Sequence, residues 1–319
     1  MTLDLVIENL TNPALLFFFL GVLAVQAKSD LEIPSNSSKF ISLYLLFSIG
    51  FKGGQELSHS DLDQSIFLSL AFGVILALAV PLYSFLLVKK RLGVFNAGAI
   101  AAAYGSVSAV TFVTSVSYLE MHNISFGGHM VAVMAIMEAP SIVIGILLIS
   151  LFHKDVNRIP LSDIARHSLT NGSVLLILGS LLIGFLASEE QAQGIKPFTT
   201  DIFKGFLAVF LLDMGITSGR KLSSFWQNGK FPMAFAIGVP LLNGIIVAYL
   251  SAWITPNIGD RFLFTILASS ASYIAVPAAM KMAAPQANAG LYIPMALGIT
   301  FPFNIVVGMP LYYYLISIS

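Results

Sequence analysis

Two hydroxyl-rich clusters stand midway along otherwise apolar stretches of the chain: Tyr104-Gly105-Ser106-Val107-Ser108-Ala109-Val110-Thr111 and Ala268-Ser269-Ser270-Ala271-Ser272-Tyr273-Ile274-Ala275-Val276-Pro277. Serine hydroxyls compete for backbone hydrogen bonds, Gly105 weakens a helix, and Pro277 lacks a donor and crowds the preceding turn, so both stretches are expected to interrupt a helix. An interruption inside a bilayer frees backbone N–H and C=O groups and aims helix ends at the space between them. That chemistry captures a small ion rather than making or breaking bonds. Close helix packing would use the same small residues. The placement of one cluster in each half of the chain argues for a site.

Ionisable groups deep in lipid cost at least about 2.5 kcal/mol on insertion scales and so mark function. Two qualify here. Glu138 lies mid-run, two residues before Pro140, and the corresponding stretch of the second half reads Thr300-Phe301-Pro302-Phe303-Asn304. Asp213 lies toward the cytoplasmic end of its run, where partial exposure suits a structural or interfacial role. No Lys or Arg falls in the middle of a run. An anion would therefore be held by helix N-termini, hydroxyls, backbone N–H groups and a co-bound cation. Hydroxyl, carbonyl and carboxylate oxygens suit a hard cation such as sodium. A neutral polar solute would fit the same residues.

The elements that carry these clusters must cross a membrane. The 319 residues are 57% hydrophobic and 10% charged with a mean hydropathy of +0.87, whereas soluble domains carry about 25% charged residues. A net charge of zero argues against a nucleic-acid partner, and the absence of cysteine excludes disulfides and thiol chemistry. There is no H-E-x-x-H, no G-x-S-x-G and no phosphate-binding loop, so an enzyme is not expected and transport would have to be driven by an ion gradient. Of the five histidines, His59, His122, His153 and His167 sit at run ends or in loops, and His129 near an outer end reads as interfacial. The first twelve residues carry Asp4 and Glu8 but no Lys or Arg, so no cleaved leader is expected.

Ten apolar runs read as spans: about 12–27, 39–56, 64–88, 94–117, 126–152, 171–187, 200–219, 231–254, 260–281 and 290–317. The first, second, sixth and seventh are short or interrupted by charge. Lys and Arg divide unevenly between the two sides this implies. Lys52, Lys196, Lys204 and Arg261 fall on one side and the remaining twelve on the other, so both termini are expected on the non-cytoplasmic face of an inner or plasma membrane.

At an offset of about 160–165 the second half matches the first in order. Leu46 to Leu57 falls over Leu211 to Leu222, Ala71-Phe72-Gly73-Val74 over Ala236-Ile237-Gly238-Val239, Ser106 to Val110 over Ser270 to Ile274, and Ala139-Pro140 over Phe301-Pro302. Five spans per half is an odd number, so similar halves lie inverted relative to one another, the usual basis of alternating access. The expected organisation is a first repeat at 1–152, a cytoplasmic connection at 153–170 and a second repeat at 171–319.

At Gly50-Phe51-Lys52-Gly53-Gly54, Gly105 to Phe112 and Ser272 to Met280 the chain resembles the sodium-dependent bicarbonate transporter family known from cyanobacteria, over nearly its whole length. The resemblance implies an all-α fold of two inverted five-span repeats and an elevator motion. A gate domain of spans one, two, six and seven would face a moving core of spans three to five and eight to ten, with the gate holding a homotrimer. It implies that Gly105, Ser106, Val107, Ser108, Ser270, Ala271 and Ser272 cradle bicarbonate, with Tyr104, Thr111, Glu138, Ser269 and Asn304 serving sodium or supporting the site. It also implies a PII-like trimer on the cytoplasmic face. The connection of about Phe152 to Thr170 is shorter than in better-known members, which weighs against that partner and leaves room for another small monovalent anion as solute. Competing readings are a passive channel or facilitator, and a receptor or scaffold in which the Ser clusters only pack.

Overall fold

The computed structural model describes residues 11–59, 64–153, 166, 170, 172–225 and 229–319, and those residues are mostly helical with no strand among them. Asp4, Glu8 and most of the central connection lie outside the described residues. In chain order the helices are α1 (Pro13–Gln26), α2 (Ser35–Ser58), α3 (Gln64–Leu92), α4 (Val94–Gly105), α5 (Ala109–Met121) and α6 (His129–Phe152). They are followed by α7 (Gly172–Leu186), α8 (Glu189–Lys196), α9 (Phe203–Phe225), α10 (Lys230–Leu250), α11 (Ile258–Ser269), α12 (Ala275–Ala283) and α13 (Ala289–Ser317).

Among the described residues six stretches are long and apolar enough to cross a membrane: Gln64–Leu92, Val94–Met121, His129–Phe152, Glu189–Lys221, Lys230–Trp253 and Ala289–Ser317. This is a membrane protein, with fewer full-length apolar helices than the ten runs of the sequence. At about 1.5 Å per residue the 14 residues of α1 and the 15 of α7 reach about 21–23 Å against about 30 Å of hydrocarbon. Helix α2 has 24 residues but carries Lys39, Lys52 and Glu56.

The short helices are held by close approach. Gly21 of α1 meets the backbone of α9 at Leu212, and Gly215 of α9 meets that of α1 at Phe18. Helices α2 and α7 repeat the arrangement, with Gly54 on the Leu181 carbonyl and Gly184 on that of Phe51. Gln55 adds hydrogen bonds from its amide to the carbonyls of Gly184 and Ala187. In lipid the gain comes from backbone-to-backbone packing that only a residue without Cβ permits. Replacing Gly215 by Leu would drive a Cβ into backbone and is expected to cost about 1–3 kcal/mol or more, read as a lowered melting temperature of the purified protein.

The sequence underestimated two things. Helix α8 lies ahead of the seventh run and opens on a reciprocal cap between Ser188 and Gln191. A π-helical turn at Pro197–Asp201 then leads into α9, which extends to Phe225. Because α9 is that long, Asp213 sits within it rather than at an exposed end: it is 7% exposed and accepts a hydrogen bond from the Ser38 hydroxyl. The ninth run breaks within the cluster that Pro277 closes, and Pro277 itself is the third residue of α12, where its missing N–H would have had no helical partner anyway.

Candidate functional site

The fourth run breaks between Gly105 and Ala109, and the ninth between Ser269 and Ala275. Both interruptions occur at the hydroxyl clusters, and the two meet. The Ser108 backbone N–H donates to the Ser270 hydroxyl at 3.1 Å, and the Ser272 N–H donates to the Ala103 carbonyl at 2.7 Å. Gly105 lies against the Pro81 ring of α3, which leaves no room for a side chain there.

A small cavity of about 20 Å³ opens beside the crossing. Val107, Ser108 and Ala109 line it from the first break, and Ser272, Tyr273, Ile274 and Ala275 from the second. Glu138 of α6 closes one side, with Leu46 of α2 and Ser173 of α7 completing the wall. Such a volume holds about one water-sized particle. The N-termini of both α5 and α12 border it, and their unpaired N–H groups carry partial positive charge. The Ser108 hydroxyl caps α5 by accepting from Thr111 N–H at 3.1 Å.

Of the residues singled out for an anion, Val107, Ser108 and Ser272 line the cavity, while Gly105, Ser106, Ser270 and Ala271 flank it in the chain and are buried. Ser270 lends its hydroxyl to the crossing. Of those singled out for sodium, only Glu138 lines the cavity. The Thr300 hydroxyl donates to the Ala236 carbonyl at 2.7 Å, so Tyr104 OH is the donor in its 2.8 Å bond to Thr300. Asn304 donates from Nδ2 to the Ser269 carbonyl at 2.7 Å, and the Ser269 hydroxyl turns back to Ile266 O at 3.2 Å.

Several oxygens near the crossing are left over. Among the described residues Ser106 Oγ and Asn304 Oδ1 are buried without a hydrogen-bond partner, and no hydrogen bond reaches the carbonyls of Tyr104 and Gly105. No cluster of His, Asp and Glu suited to a transition metal occurs among the described residues. The unsatisfied atoms are hard, mostly neutral oxygens.

A larger cavity of about 520 Å³ lies between α2, α8 and the end of α5. Lys52 of α2 and Glu120 of α5 pair across it at 2.9 Å. His59 and Glu189 face one another at 3.2 Å within its lining.

These two breaks, back to back in an apolar bundle, fit an ion carrier. The family comparison agrees: the model of the Na+-dependent bicarbonate transporter superfamily matches residues 13–317. The chain belongs to that superfamily. No curated protein matches it.

Sequence reasoning missed part of the surroundings. Asn243, the single Asn of α10, is 8% exposed, accepts from Tyr83 OH and donates to the Ala268 carbonyl at 3.0 Å. A lone amide in an apolar helix was the available signal. Asp260, Arg261 and His129 are buried at 4%, 6% and 7% exposure, where the sequence suggested run ends and an interface. They tie loops together: Asp260 accepts from Gly127 N–H at 2.6 Å and lies 3.7 Å from His129, and Arg261 donates to Ala248 O at 3.0 Å.

Proposed function

We propose that the protein imports bicarbonate together with sodium by alternating access. The observation that carries the reading is the meeting of the two breaks at a cavity faced by two helix N-termini and one carboxylate. Dipole ends and N–H groups offset the charge of a small anion, and sodium, held by leftover oxygens such as Ser106 Oγ, Asn304 Oδ1 and the carbonyls of Tyr104 and Gly105, supplies a further positive charge beside it. The family's description as Na+-dependent supports both solutes. The cavity has room for about one water, so admitting a planar anion requires the two breaks to part slightly.

The chain is organised as two inverted repeats. The paired glycine crossings, α1 with α9 and α2 with α7, are the exchange that a twofold relation between halves would produce. These four helices form a gate, and α3–α6 with α10–α13 form a core that carries the crossing breaks past it in elevator fashion. The protein resides in the inner or plasma membrane with both termini outside, as the Lys and Arg distribution favours. The wide cavity at Lys52 and Glu120 is then the outer approach to the site. A homotrimer forms through the gate, where Leu16, Phe17, Leu20 and Leu23 of α1 are open to lipid or to a neighbouring copy.

Initial rates of labelled bicarbonate uptake into proteoliposomes, measured against a panel of monovalent anions, test the solute and the coupling. Uptake is expected to be selective for bicarbonate and to vanish when choline replaces sodium. Equal rates in choline, or a preference for another anion, would overturn the assignment.

A further inference from the structure

The half-helix α11 ends at the break with four carbonyls, Ile266 to Ser269, that have no further turn to supply donors. Each of them is nevertheless occupied. Ile266 O accepts from the Ser269 hydroxyl at 3.2 Å, and Leu267 O accepts from the Ser270 hydroxyl at 3.0 Å. The other two are reached from different helices: Ala268 O by Asn243 Nδ2 at 3.0 Å and Ser269 O by Asn304 Nδ2 at 2.7 Å. The end of α4 is treated otherwise. Its Ala103 carbonyl is taken by Ser272 N–H from across the crossing, while those of Tyr104 and Gly105 receive no hydrogen bond among the described residues.

The orientation of the Asn243 amide follows from chemistry. A carbonyl can only accept, so Nδ2 must face Ala268 O, and Oδ1 is then left to accept the hydroxyl proton of Tyr83 from α3. Two residues beyond Ala268 in the chain, Ser270 receives Ser108 N–H, and four beyond it Ser272 donates to Ala103 O. The register of the crossing therefore depends on how firmly the end of α11 is held.

We propose that Asn243, oriented by Tyr83, is a positioning residue for the solute site. It never touches the solute. It occupies the Ala268 carbonyl so that Ser270 and Ser272 stay in register with the first break. This rests on the bicarbonate reading given above. Asn304 holds the next carbonyl but also keeps a buried oxygen without a partner, Oδ1, that sodium could use, so Asn243 is where holding can be separated from binding.

The test uses the full-length protein with Tyr83→Phe, Asn243→Leu and the pair, each checked for wild-type elution on size exclusion. Uptake kinetics should show the bicarbonate KM raised about tenfold in Asn243→Leu and about threefold in Tyr83→Phe, since a buried carbonyl loses its donor or the donor loses its orientation. The maximal rate should change much less. The double variant should be no worse than Asn243→Leu alone, because both changes break one chain of contacts. Hydrogen exchange of backbone amides over 266–276, which needs no transport, should quicken in Tyr83→Phe, a variant lacking only one oxygen. Wild-type KM in both single variants, additive effects in the pair, or unchanged exchange would overturn the proposal. A wild-type protein that does not carry bicarbonate would sink the solute assignment alone, and the exchange rates would still decide the role of Asn243.

Discussion

Bicarbonate uptake is expected to fall at least about a hundredfold when Ser106 and Ser270 are both replaced by Ala, each lost bond to a charged solute or its cradle being worth about 1.5–3 kcal/mol. The two hydroxyls differ in what they do for the fold. Ser106 Oγ is buried without a hydrogen-bond partner among the described residues, so its removal relieves a desolvated group and should leave stability unchanged or slightly higher. Ser270 Oγ accepts Ser108 N–H and donates to Leu267 O, and its loss strands one buried donor. The single variants separate these contributions. Ser106→Ala should lose transport at wild-type melting temperature, which a purely structural hydroxyl could not do. Uptake rates and melting temperatures of the same preparations check this; transport intact in the double variant would favour a packing role for both clusters.

The second large effect concerns motion. Gly53 of α2 faces Val131 of α6, and a Cβ built on Gly53 would stand 3.1 Å from that of Val131. Disulfides bridge Cβ atoms about 3.5–4.5 Å apart, so Gly53→Cys with Val131→Cys needs a shift of only a few tenths of an ångström, and the second change removes the methyl that would crowd the first. The chain contains no cysteine, so the new pair has no competitor. On the elevator reading α2 belongs to the gate and α6 to the core. Oxidation should then stop uptake almost completely, and a reductant should restore it. On the same reading the Lys52–Glu120 pair, at 2.9 Å, crosses that boundary and parts in each cycle. Full uptake with the bond demonstrably closed would mean that these helices do not slide past one another.

Both helix breaks could be read from residue types because broken membrane helices demand residues that tolerate breakage. Gly105 and the serines of both clusters mark the interruptions to within a few residues. Pro277 marks the far edge of the second break rather than its centre, since it sits in the first turn of α12, and the break itself falls at Ser270 to Ile274. Span counting was less secure. Hydropathy rewards composition, whereas α1 and α7 are apolar but short, and each crosses a partner helix closely at glycines. Contacts between distant segments left no local trace. Nothing in the neighbourhood of Asn243 or Asp260 announces Tyr83 or Gly127 as partner.

Accumulation against a gradient tests the central claim most directly. Proteoliposomes with equal bicarbonate inside and out, and sodium outside only, are predicted to concentrate labelled bicarbonate above the external level until the sodium gradient is spent. Exchange that stops at equal concentrations, whatever the sodium gradient, would make the protein a passive pathway and contradict the account.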